Sequence, residues 1–83
     1  MRHAGAAALD ELEPLLVQLR AIESLTEKKR GTFYQGSSAF LHFHEDPTGP
    51  YADVKLDERF ERVRVRTAAE RRQLLRQVRD AVA

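Results

Sequence analysis

Apolar positions change their period twice along the chain. Leu12, Leu16, Leu19 and Ile22 recur at helical spacing, and Asp10 followed by Glu13 has the form of a capping box, so a first helix is predicted to begin near Glu11. Pro14 falls at its fourth position, where the missing N–H removes one bond to the cap residue. The helix is predicted to end near Leu25 or to continue to Lys28-Lys29-Arg30, with Gly31 as terminator. From Gly31 to Arg66 the period falls to 2. Residues 32–34, 39–44, 51–56 and 60–66 are aromatic and β-branched segments separated by turn-forming residues, which reads as an antiparallel meander. Thr67 and Glu70 form a second capping box ahead of the stripe Leu74, Leu75, Val78, Ala81 and Val82, predicting a helix from Ala68 to about Val82.

The predicted fold is therefore α+β: helix, four-stranded antiparallel meander, helix, with both helices on one sheet face. Residues 1–9 read as a loose tail and residues 10–83 as a single domain. Alternation assigns the faces. Leu41, Phe43, Ala52, Val54, Leu56, Val63 and Val65 point toward the helices. Phe40, His42, His44, Tyr51, Asp53, Lys55, Arg62, Arg64 and Arg66 are expected on the opposite, uncovered face, and these are the candidate ligand or interface residues. Pairing Phe43 with Ala52 and Val54 with Val63 keeps apolar positions together. It gives the cross-strand rows His42-Asp53-Arg64, His44-Tyr51-Arg66 and Phe40-Lys55-Arg62.

Composition narrows the function classes. The 83 residues include no cysteine, which excludes disulfides, Cys-ligated zinc, iron–sulfur clusters and thiol catalysis. No apolar run approaches the roughly 18 to 20 residues of a membrane span, no secretory signal is legible, and a cytoplasmic protein with no membrane partner is expected. The net charge of +1 hides a segregation: residues 1–58 carry a net −4 and residues 59–83 a net +5, supplied by arginine alone. Such segregation marks a polyanion-binding face or two surfaces that neutralise each other, and the small total favours the second.

Three readings of the open face follow. The leading one is a non-enzymatic binding or assembly domain, whose face, centred on Phe40, His42, Asp53 and Arg64, is a homodimer or partner interface. The second is a site for a divalent metal or an anionic ligand. Two histidines at i and i+2 on one strand stand about 6.5 to 7 Å apart on one face, so His42 and His44 can span one ion with Asp53 as a third ligand. Beside it stands the plainer possibility that both imidazoles are hydrogen-bonded surface groups and Glu45-Asp46-Pro47 only opens a turn. The third reading is nucleic-acid binding by the comb of Arg62, Arg64 and Arg66, which Asp53 among the arginines disfavours. Catalysis is disfavoured too: the His42 and Asp53 pair can move a proton, but Ser37 and Ser38 lie in a turn away from any base.

The stretch GTFYQGSSAFLHFHEDPTGPYADVKL, Gly31 to Leu56, resembles a block found in small bacterial proteins of about this length that have no assigned activity. The resemblance rests on Gly31-Thr32-Phe33-Tyr34, residues 39–46, Gly49 and Ala52-Asp53-Val54. It implies a compact helix, meander, helix arrangement and no catalytic residues.

Overall fold

The computed structural model describes residues 1–83. The protein is α+β with a wholly antiparallel sheet, but the elements number six strands and three helices rather than four and two. They run β1 (Arg2–His3), α1 (Ala6–Glu11), α2 (Glu13–Arg20), β2 (Leu25–Lys29), β3 (Thr32–Gln35), β4 (Ser38–Asp46), β5 (Gly49–Leu56), β6 (Arg59–Arg64) and α3 (Ala68–Val82). Five strands lie in chain order from β2 to β6. β1 pairs with the end of β4, so that it continues the line of β3 along the same edge.

The N-terminal third departs most from expectation. Residues 1–9, read as a tail, hold β1 and most of α1. The single predicted helix is two, broken at Leu12. Pro14 has no N–H to offer Asp10 and its ring crowds that carbonyl, so the chain restarts as α2 with Pro14 in the first turn, where proline is tolerated. Asp10 is consequently inside α1 rather than capping anything, and α2 has no side-chain cap. Residues 25–30 are not helical either. Leu25–Lys29 forms the edge strand β2, and Gly31 is the left-handed residue of the β2–β3 turn, with φ +80°. A Cβ there would meet Leu9 Cδ2 of α1 at 2.8 Å, a side-chain end that can turn aside, so it is the left-handed backbone that makes this turn need glycine.

The C-terminal helix follows its sequence signals. Thr67 Oγ1 accepts from the Glu70 N–H while Glu70 Oε1 accepts from the Thr67 N–H, which satisfies both ends of the capping box. Leu74, Leu75 and Val78 of α3 share one buried cluster with Leu12, Leu15, Leu16 and Leu19 and with Phe33, Leu41, Phe43, Ala52, Val54 and Val65 of the sheet segment. Complete burial of a leucine or phenylalanine contributes about 1.5 to 3 kcal/mol. This cluster therefore fixes which sheet face is roofed.

Two strand details move residues from their expected places. A bulge between Phe33 and Tyr34 of β3 opposes Leu41 and Ala39 of β4 and leaves Phe40 as the extra residue. Phe40 is 3% exposed and belongs to the core, so it is removed from the open face. The register of β5 with β6 is shifted by two: Ala52 pairs with Val63, and Val54 with Glu61. The cause is the turn. Asp57 and Glu58, at φ 51° and 68°, form a two-residue connection of the mirror-image kind that hairpins favour, and Leu56 with Arg59 closes it. Because β6 is an edge strand, Glu61 opposite Val54 can reach water, so apolar matching does not hold the register there.

Candidate metal centre

The open face carries a histidine cluster built from two strands. His42 and His44, two apart on β4, share that face, and β1 places His3 directly opposite His44. Ring nitrogens of the three lie within 4.8 Å of one another. His3 stacks on His44 with centroids 4.8 Å apart, and His42 meets His44 edge-on at the same separation. β1 is only two residues long, and its place depends on contacts outside the histidines. The Ala4 N–H donates to the Phe43 carbonyl at 3.0 Å, the Gly5 N–H to Glu45 Oε2 at 2.6 Å, and Arg2 pairs with Glu45 at 3.6 Å. Glu45 is thus the clasp that holds His3 in position. Asp46 instead accepts from the Thr48 N–H and hydroxyl and shapes the turn.

Asp53 borders the cluster on the other side. Its carboxylate takes two bonds from Arg62, Nε to Oδ1 at 2.8 Å and Nη2 to Oδ2 at 3.0 Å, and Oδ2 stands 3.1 Å from His44 Nε2. The side-chain hydrogen bond from Arg62 holds its pKa below the ordinary carboxylate value, against the opposing effect of burial. His42 Nδ1 lies 2.9 Å from the same His44 Nε2. His44 Nε2 therefore faces both the Asp53 carboxylate and the His42 ring nitrogen, and the tautomers decide which histidine donates to the other. His44 Nδ1, at the other side of the ring, is buried without a partner. Burial pushes the His42 pKa down and His44 adds to it, so the neutral, metal-competent imidazole is the favoured form.

The donor set suits a first-row transition ion. Imidazole nitrogen is a ligand for zinc, copper and nickel, and a tetrahedral zinc with bonds of about 2.0 to 2.1 Å spaces its ligands about 3.3 Å apart. The 2.9 Å pair and the 4.8 Å limit bracket that spacing, and because His3 and His44 lie nearly face to face, their rings must turn for the lone pairs to converge on one ion.

Of the metal set expected from sequence, His42, His44 and Asp53 are brought together, and the structure adds His3. The imidazole touching Asp53 is His44, not its cross-strand partner His42. Asp53 pairs with Arg62, not with the expected Arg64, because of the register shift. Arg64 instead lies across from Tyr51, its guanidinium 5.7 Å from the ring, and Tyr51 hydrogen-bonds Thr48. Lys55 bonds Ser38, and Phe60 takes the place opposite Lys55 that had been given to Arg62. Arg66 lies beyond the end of β6, its side chain against Gly49, so the arginine comb has two teeth on the sheet, one of them clamped to Asp53. A surface depression of about 790 Å³ between the β5–β6 turn and the end of α3 is lined by Phe40, Glu61, Gln77 and Asp80 and lies apart from the histidines.

Comparison with known families, curated proteins and solved structures finds no match to this chain. No helix is long and apolar enough to cross a membrane.

Proposed function

We propose that this protein is a small binding domain that takes up one divalent transition-metal ion on the open face of its sheet, through His3, His42 and His44. The observation that carries the reading is the convergence of three imidazoles from two separate strands, one ring nitrogen of each within 4.8 Å of the others. Three neutral nitrogen donors leave a coordination position open to solvent or to a ligand, the arrangement of an exchangeable rather than a closed structural site. Asp53, fixed by Arg62, borders the site at His44 Nε2, the nitrogen that also faces His42.

Equilibrium dialysis against zinc or nickel tests it. One ion retained per chain, lost in His42→Ala and in His3→Ala, is the expected outcome; no retention by the unaltered protein overturns it.

A second reading keeps the same face as a homodimer or partner surface. Its support is Phe60, which is 49% exposed and followed on the same face by Arg62 and then Arg64, a large apolar side chain beside cations of the kind enriched at interfaces. Sedimentation at micromolar concentration decides it: a species that stays monomeric over a hundredfold concentration range retires the homodimer.

A further inference from the structure

Resting on the metal-binding reading, the open coordination position has neighbours that define what it takes. The nearest protein carboxylate, Asp53, is already engaged at both oxygens by Arg62, at 2.8 and 3.0 Å, and is nine-tenths buried. That fork neutralises Asp53 and occupies both of its oxygens, which weakens Oδ2, 3.1 Å from His44 Nε2, as a ligand. Arg62 itself uses only Nε and Nη2 in the pair, and about half of its side chain faces solvent. Nη1 is left to donate outward. Arg64 follows two positions on along β6, on the same face, exposed, with one long contact of 3.4 Å to the Tyr51 hydroxyl. Two guanidinium groups with free donors thus stand on the Asp53 side of the imidazole cluster. On the other flank of Arg62 the Phe60 ring lies with its centroid 5.8 Å from that of His42, half exposed.

A ligand that meets all three features carries an oxyanion and an apolar body. One carboxylate oxygen replaces water on the ion, the other accepts from Arg62, and an aromatic or aliphatic group covers Phe60. We propose that the metal-loaded protein binds small organic carboxylates, with the ion and Arg62 as the two anchors of the carboxylate and Phe60 as the platform for the body. No bond is made or broken in the ligand; it displaces a water molecule and is released unchanged.

Cobalt(II) in place of zinc makes the inner sphere visible, because its d–d absorption changes when a coordinated water is exchanged for a carboxylate. The probes are benzoate and acetate, titrated into cobalt-loaded protein. Benzoate is expected to shift the spectrum saturably and to half-saturate at a concentration several-fold below acetate, the difference disappearing in Phe60→Ala. In an Asp53→Asn background no protein carboxylate competes for the position. There, adding Arg62→Gln is expected to weaken benzoate roughly tenfold, the loss of one charge-assisted hydrogen bond. A cobalt spectrum that forms normally and ignores both carboxylates overturns the inference while leaving the metal site intact. Failure to bind cobalt at all overturns the metal reading itself.

Discussion

Two polar clusters on this small protein solve opposite problems. Where α2 meets the β2–β3 hairpin, Arg20 bridges Glu13 and Glu27, and Arg30 bridges Glu13 and Asp10, with the carboxylate of Glu27 also accepting from the Gly31 N–H at 2.9 Å. Every side-chain pair there joins a donor to an acceptor of opposite charge. On the open face, His3, His42 and His44 are three copies of one group, and only Asp53 brings a charge, which Arg62 already neutralises. The first cluster is complete as it stands and fastens α1 and α2 to the sheet edge. The second gathers neutral donors of one kind, the donor set on which the proposed metal site rests.

Metal addition should separate the two clusters by the largest margin. At free zinc a hundredfold above its Kd, the folded state gains about 2.7 kcal/mol, which for a domain of this size raises Tm by roughly 10 to 20 °C. His3→Ala, His42→Ala and His44→Ala should each lose most of that rise in a thermal melt, whereas Arg20→Ala should retain it in full. A zinc-induced rise that survives all three histidine replacements would assign the effect to some other part of the chain.

Breaking the charged cluster is the next effect in size. Arg20→Ala leaves Glu13 and the half-buried Glu27 facing each other without their shared cation, and should lower the urea midpoint of unfolding by a small but measurable amount, as expected for an exposed, networked ion pair. His3→Ala in metal-free protein should change stability by less than this, because His3 contributes stacking at an exposed strand end. A larger loss for His3→Ala than for Arg20→Ala would reverse the roles given to the two clusters.

Acid sharpens the contrast further, with a smaller effect. Burial pushes the Glu27 carboxyl up, but the bonds from Arg20 and the Gly31 N–H outweigh it and hold the pKa below the ordinary 4.5; Glu13 is lowered by Arg20 and then Arg30. Because the unfolded chain takes up these protons first, the stabilisation is fully present above about pH 4.5 and is lost as pH falls through the lower folded values. Urea unfolding between pH 6 and 3 should therefore steepen below 4.5, and Arg20→Ala should flatten that fall. An unchanged slope in the variant contradicts the assignment.

The same two clusters show what the sequence disclosed. α3 was legible from Thr67, Glu70 and the leucine stripe because cap and periodicity are both local and agree. β2 was hidden: in Leu25–Lys29 only Leu25 is buried, so an edge strand of mostly polar residues shows no alternation, and its lysines read as a helix end. Pro14 was weighed as a blemish in one helix when it was the boundary between two. On the open face, pleat parity alone placed His42, His44, Asp53 and the arginines together, and the first hairpin register was correct at Phe43 and Ala52. The partner of Asp53 was mistaken by two residues because the conformation of Asp57 and Glu58, not apolar matching, sets the second register. His3 was beyond reach. Its pairing with His44 spans 41 residues through a strand of two, and the only hint was a third histidine in a chain that has three.

That long-range pairing is the central claim, and imidazole nitrogen NMR on zinc titration tests it most directly. With one equivalent of zinc, one ring nitrogen of each of His3, His42 and His44 should move together to the metal-bound position, saturating at a 1:1 ratio. If His42 and His44 shift while His3 keeps its free resonance, or if all three remain unmoved, the three-histidine centre does not exist.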